Sequence, residues 1–251
     1  MQADFVEAEG TRLFVRRRGA GTRCALYWHG GGGASTEWPE IAPALVQAGY
    51  TVYGPDAPGY GQSPPLEPNR YLASEIAGLG IALIDALGIA PAIWIGFSWG
   101  ASIGVHAAVR YPDRVRALVL LDGGYLLPED DPSDDPSLDF AGRMEAWRRE
   151  LEEQEDEDEA PIGIVAAAMA GSNVEPAVPL LPRLAATGIP ALLIAATEPP
   201  AYHDLRERAL ARFRAGLPSA EVVRVRAGHG VLQEAGADVR RHVLDWLARL
   251  D

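Results

Sequence analysis

The sequence predicts an α/β fold with a doubly wound, mostly parallel sheet. Three observations predict it: short, uniformly apolar runs, helical stretches between them, and glycine-rich breaks at their ends. Strands covered on both faces lack polar alternation, and parallel neighbours need crossover helices to join them.

The first run is Arg23–Trp28, closed by His29 and four glycines. A second begins at 51–53 and is ended by Gly54, Pro55 and Asp56. Residues 71–87 place Ile76, Leu79, Leu83 and Leu87 at helical spacing and stop at Gly88, a C-terminal glycine. Ala92–Phe97 reads as a buried strand, 98–110 as a helix rich in small residues, and Val115–Leu121 as another strand. The pattern breaks from Gly123 to about Thr187, then resumes where Ile189 and Pro190 open the strand Ala191–Ala196. Residues 202–215 form a helix, and Glu221–Val225 alternates like a strand. Residues 231–250 close the chain as an amphipathic helix, with Val239, Val243, Trp246, Leu247 and Leu250 on one face.

An interruption this long inside a repeating pattern is an insertion, because structureless loops of that length are rare. The expected organisation is a core of residues 1–123 and 188–251, with residues 124–187 inserted as an acidic, mainly helical cap. Its helices are expected near 140–153 and 162–169. A length of 251 residues suits one domain carrying such an insertion.

Charge narrows the partners. The net charge is −13, which argues against a nucleic-acid backbone as ligand, since binding one needs a basic surface. Residues 129–159 hold 15 acidic and three basic side chains (Arg143, Arg148, Arg149), so this segment carries almost all of the imbalance. Its densest part, 150–159, has eight acids in ten residues. Such a self-repelling run reads as a solvated face, with a cationic substrate as the rival explanation. The apolar positions at 162–169, with Phe140, Met144 and Trp147, are candidates for pocket lining or for packing of the insertion itself.

No apolar stretch is long enough to span a bilayer, and the N-terminal residues lack the charged and apolar regions of a signal peptide. The expectation is a cytoplasmic protein with no membrane partner. A single cysteine, Cys24, excludes an internal disulfide framework, and no His/Asp/Glu cluster has metal-ligand spacing.

The pentapeptide Gly96-Phe97-Ser98-Trp99-Gly100 carries the most chemistry. It matches G-x-S-x-G between a strand and a helix, the context in which a serine stands on a sharp turn as a nucleophile. Flanking glycines are needed because side chains two residues away would clash with that turn. A serine becomes reactive when an imidazole takes its proton, and His229, on a loop between the last strand and the last helix, is the candidate base. His106, His203 and His242 occupy helical positions and read as packed or solvated.

With these residues in view, the chain resembles the α/β-hydrolase fold superfamily along nearly all its length. The matching features include His29-Gly30-Gly31-Gly32-Gly33, Asp56-Ala57-Pro58-Gly59-Tyr60-Gly61-Gln62-Ser63, the serine elbow, Tyr111-Pro112-Asp113-Arg114-Val115, and Gly228-His229-Gly230. The resemblance implies the Ser…acid…His order, a cap after the sixth strand and a structural role for His29. It also implies an oxyanion hole from the amides of Trp99 and Gly31, with Gly32 as a further candidate.

The acid stays open between two positions. The usual loop place after the seventh strand falls on Pro199, which has no carboxylate, and its neighbour is Glu198. The other place used in the superfamily, at the end of the sixth strand, holds Asp122, which is favoured because the departure at Pro199 has to be compensated.

The implied activity is hydrolysis of a small-molecule ester or lactone through an acyl-enzyme on Ser98, with no cofactor, by a monomer or homodimer. Epoxide hydrolases and dehalogenases of this fold use a carboxylate nucleophile, so a serine at 98 disfavours both. The rivals are an aminopeptidase similar to prolyl iminopeptidases and a catalytically silent ligand-binding protein.

Overall fold

The computed structural model describes residues 1–130, 135, 137–154 and 160–250. Eight strands form one sheet: β1 (Gln2–Ala8), β2 (Thr11–Arg18), β3 (Arg23–Trp28), β4 (Tyr50–Pro55), β5 (Ala92–Phe97), β6 (Val115–Leu121), β7 (Ala191–Ala196) and β8 (Glu221–Val225). Their order is β1-β2-β4-β3-β5-β6-β7-β8. β1 and β2 pair antiparallel, as do β2 and β4, and every other neighbouring pair is parallel.

The α/β, mostly parallel architecture is as the sequence predicts, but the N-terminal hairpin is an addition to it. Four arginines in β2 mask the alternation of its buried residues Leu13 and Val15. Glu9 and Gly10, with φ of 47° and 74°, make the tight turn between β1 and β2.

The helices include α1 (Ala42–Gln47), α2 (Ala73–Ala86), α3 (Trp99–Arg110), α6 (Leu181–Thr187), α7 (His203–Gly216) and α8 (Val231–Ala248). Gly88, just past α2, has φ +65°, the left-handed conformation expected of a terminating glycine. Successive residues of a strand serve opposite faces of the sheet. Ile93, Ile95 and Phe97 of β5 pack with residues of α1 and α8, including Leu45, Val239, Val243 and Trp246. Trp94 of the same strand packs with residues of α2 and α3 on the other face.

There the Trp94 ring stacks on Trp28 at 5.3 Å, an arrangement worth about 0.5–1.5 kcal/mol beyond the area it buries. Trp94 Nε1–H also donates to the Gly100 carbonyl at 3.1 Å, which anchors the first turn of α3 to the sheet. Burial of β5 and the placement of the serine are thus linked through one side chain.

Between β6 and β7 lie α4 (Phe140–Gln154), α5 (Ile162–Val174) and then α6. α4 packs on α5, and α5 packs on α2 and α3. α5 continues past Met169 through Gly171, whose lack of a side chain is needed there. A Cβ on Gly171 would lie 1.9 Å from the Tyr71 carbonyl oxygen. Gly171 is thus the point where helix and loop touch.

Candidate active site

Three loops at the carboxyl edge of the sheet meet, the edge where open α/β sheets place their ligands. Ser98 follows β5 with φ 50° and ψ −111°, outside the ordinary basins of a non-glycine residue. Its N–H donates to the Leu121 carbonyl at 2.9 Å, so the end of β6 holds the turn. A Cβ on Gly96 would stand 2.1 Å from the Gly100 oxygen, and one on Gly100 2.2 Å from the Trp28 oxygen. Both flanking glycines are therefore required by the close approach of backbone to backbone.

Asp122 follows β6 in a left-handed conformation, φ 42°, and its N–H donates to Ile194 O at 2.8 Å. His229 follows β8. Its loop is tied to α8 by the Gly228 N–H, which donates to Glu234 Oε2 at 2.8 Å.

The three side chains are in line. His229 Nε2 lies 2.8 Å from Ser98 Oγ, and His229 Nδ1 lies 2.8 Å from Asp122 Oδ2. A carboxylate beside Nδ1 fixes the tautomer: Nδ1–H donates to Asp122, and Nε2 accepts the Ser98 hydroxyl proton. Glu198 is not part of this line. Its carboxylate lies 3.4 Å from the guanidinium of Arg226, whose side chain is 91% exposed. Of the two acids considered from the sequence, Asp122 is the one beside His229.

Asp122 is almost wholly buried and receives more donors than the histidine alone. Its Oδ1 accepts from Tyr125 Oη at 2.8 Å, from the Ala196 N–H at 2.9 Å and from Arg206 Nη1 at 3.1 Å. Burial pushes its carboxyl upward, but hydrogen bonds from His229 and Ala196 and the charge of Arg206 outweigh this. The result lies below the usual carboxylate range, so the acid is ionised. Burial and the neighbouring Asp122 charge push the Tyr125 phenol up, so it remains a donor. Neither Tyr125 nor Arg206 was singled out from sequence. Tyr125 is three residues from Asp122, a local signal that was available, whereas Arg206 reaches it across 84 residues.

The glycine loop runs alongside the serine. A Cβ on Gly30 would lie 3.6 Å from Ser98 Cβ, and one on Gly31 3.9 Å from Trp99 Cβ. His29 is fully buried; its Nδ1–H donates to Gly30 O at 2.7 Å, and its Nε2 accepts the Ala57 N–H at 3.0 Å. With both nitrogens engaged in this way the ring is neutral, and burial pushes its pKa down to about 4. His29 thus clamps the start of the glycine loop to the segment after β4. The Trp99 ring is buried against Trp28, Tyr60 and His29, while its amide sits in the first turn of α3.

A cavity of about 480 Å³ opens above Ser98 and His229. Trp147 of α4 and Met169 of α5 line it, as two of the apolar candidates from the insertion should. Phe140, Met144 and Ile164 do not line it; they pack against the hydrophobic core. Glu150 also lines the cavity, whereas 155–159 of the acidic run lie outside the described residues. His106 is buried with Nε2 3.0 Å from the Glu175 carbonyl oxygen, and His203 is exposed. Among the described residues, no group of three or more His, Cys, Asp or Glu side chains could hold a metal ion.

A family model described as the alpha/beta hydrolase fold matches residues 26–161, more than half of the chain. The chain belongs to the α/β-hydrolase fold family. Within this family, an epoxide hydrolase from Caballeronia sordidicola is 36% identical over 114 residues, 45% of this chain and 34% of that protein. A 2-hydroxy-6-oxononadienedioate/2-hydroxy-6-oxononatrienedioate hydrolase from Burkholderia vietnamiensis is 34% identical over 124 residues, 47% of this chain and 43% of that protein. The match thus spans less than half the length of either relative.

Among solved α/β hydrolases, the enol-lactonase from Burkholderia xenovorans LB400 superposes with a TM-score of 0.78 at 22% identity, covering 98% of this chain and 100% of that one. A thermophilic esterase from Thermogutta terrifontis gives a TM-score of 0.76 at 22% identity, covering 100% and 99%. At such identity the likeness speaks for the fold.

Proposed function

We propose that this chain is a serine hydrolase that cleaves a carboxylic ester or lactone of a small molecule through an acyl-enzyme on Ser98. One observation carries the reading: the continuous line Ser98 Oγ, His229 Nε2, His229 Nδ1, Asp122 Oδ2, with two contacts of 2.8 Å, at the floor of a cavity. In this reading residues 124–187 act as the cap that shapes the cavity. The serine also separates the chain from epoxide-opening relatives, whose reaction in this fold uses a carboxylate at the elbow.

The mechanism follows from the atoms. Ser98 Oγ attacks the substrate carbonyl carbon while its proton passes to His229 Nε2. The imidazolium so formed is stabilised through Nδ1–H by the ionised Asp122. Negative charge develops on the former carbonyl oxygen, which the backbone N–H groups of Trp99 and Gly31 receive. Preorganised donors of this kind are worth about 3 kcal/mol each to the transition state. The tetrahedral species collapses, and the leaving alkoxide takes the proton from Nε2. Water then attacks the acyl-enzyme with His229 as base, which releases the acid and restores Ser98.

Hydrolysis of p-nitrophenyl acetate, butyrate and octanoate by the wild type and by Ser98→Ala tests the reading. Turnover by the wild type and its loss in Ser98→Ala are expected. Equal activity of the two proteins on every chain length would overturn it, and turnover of amino-acid arylamides in place of esters would turn the reading towards an aminopeptidase.

A further inference from the structure

We propose that Arg206 is a positioning residue for the catalytic acid, locking the Asp122 carboxylate in the orientation that receives His229 Nδ1–H and balancing its charge while the imidazole is neutral. The inference rests on the acyl-transfer reading above. Arg206 projects from α7, and its side chain is 12% exposed. Its Nη1 lies 3.1 Å from Asp122 Oδ1, 3.3 Å from Oδ2, 3.0 Å from Tyr125 Oη and 3.0 Å from the Ala196 carbonyl oxygen. The Ala196 N–H in turn donates to Asp122 Oδ1. Arginine, aspartate and the end of β7 therefore close a ring, and rotating the carboxylate away from His229 would break several of its members together.

Charge gives the second half of the argument. Whenever the imidazole is neutral, a buried Asp122 without Arg206 would be an anion with no ionic partner, a costly arrangement. Removing Arg206 would leave the imidazole as the remaining partner of the Asp122 charge, which favours the protonated ring in the variant. The titratable and charged groups that touch His229, its partner Asp122 or its loop come from several elements. Ser98 comes from the β5–α3 turn and Asp122 with Tyr125 from the end of β6. Arg206 comes from α7, and Glu234 of α8 is bound to the Gly228 N–H. Glu150, Asp130 and Tyr202 line the same cavity, Asp130 being paired with Arg212. Arg206 is the cation joined to Asp122, so its removal has a defined sign.

The test compares wild type, Arg206→Met and Arg206→Lys in two ways. The titration of His229 is followed by NMR in histidine-labelled protein, its signals assigned with His229→Gln, and this needs no substrate. Arg206→Met should raise the midpoint by about half a unit to one unit, and Arg206→Lys should leave it near the wild-type value. In ester hydrolysis, kcat should fall about tenfold or more in Arg206→Met at unchanged KM, because the base is no longer held in line.

An unchanged midpoint in Arg206→Met overturns the proposal, and so does a rise in KM alone, which would mark Arg206 as a substrate contact. If Arg206→Met does not fold, Arg206→Lys decides: lowered kcat at an unshifted midpoint supports positioning, and full kcat overturns it. If the wild type hydrolyses no ester, the acyl-transfer reading fails, while the titration still decides what Arg206 does to His229.

Discussion

Gly123 lies so close to Ser98 that a Cβ added to it would stand 2.2 Å from the Ser98 carbonyl oxygen and 2.7 Å from its Cα. The residue after Asp122 is thus pressed against the backbone of Ser98, and each fixes the other's loop. Gly123→Ala should displace one of the two strand ends. The expected cost is about 1–3 kcal/mol in urea unfolding, the usual range for overpacking. A displacement of several tenths of an ångström at Ser98 should also lower kcat, by up to about 100-fold. A Gly123→Ala protein with wild-type stability and turnover would mean that this contact is soft.

The two candidate acids separate cleanly in their expected phenotypes. Asp122→Asn keeps the shape but presents an amide to Nδ1, which favours the wrong imidazole tautomer, so kcat should fall by about 10⁴-fold. Glu198→Gln should stay within about twofold of wild type, because the carboxylate pairs with a solvent-exposed arginine. Steady-state kinetics on p-nitrophenyl butyrate distinguish these outcomes, and a reversed pattern would place the acid after β7.

The elbow at 96–100 was legible because its chemistry is local: strand, tight turn and helix are written in consecutive residues. His229 was legible for a related reason, since a histidine between glycines sits where the last strand meets the last helix. Asp122 was half legible. Its strand end is plain in the sequence, but its choice over Glu198 depends on how β6 and β8 bring their loops together. Arg206 was not legible at all, because an arginine in an amphipathic helix reads as a solvated charge until α7 is packed beside β7. The β1–β2 hairpin was missed because its buried alternation, Leu13 and Val15, is diluted by four arginines in β2. Phe140 and Met144 were open from the sequence: apolar residues in the insertion read equally well as cavity wall or as packing, and these two are partly buried against the core.

Buried His29 makes stability depend on pH in a definite direction. In the unfolded chain it takes up a proton near pH 6.5, but in the folded protein only near 4. Between these values the unfolded state binds more protons, so stability falls as pH drops from about 6.5 to 4, by about 3 kcal/mol in all. Buried His106 is depressed in the same direction and adds to the slope. His29→Gln should be less stable at pH 7.5, having lost bonds to Gly30 and Ala57, yet its urea midpoint should vary less over this window. A wild-type midpoint that stays flat from pH 6.5 to 4.5 would show that the ring protonates freely in the fold.

Met169 and Gly31 set how close the insertion comes to the Ser98 loop. A Cβ on Gly31 would lie 2.5 Å from Met169 Cε, so the thioether lies directly against the glycine loop at the cavity wall. Met169→Ala removes that wall and should raise the kcat/KM ratio of octanoate over acetate by about tenfold, the effect of admitting one or more extra methylenes. Gly31→Ala should slow all esters in the wild-type background, since the new methyl meets the methionine beside the amide proposed to receive the oxyanion. In a Met169→Ala background the same substitution has room, because its next neighbour, Trp99 Cβ, is at an ordinary 3.9 Å. The double variant should therefore turn over faster than Gly31→Ala alone, a positive coupling that a double-mutant cycle reads directly. Strictly additive effects would show that Gly31 answers to the backbone of its own loop and not to Met169.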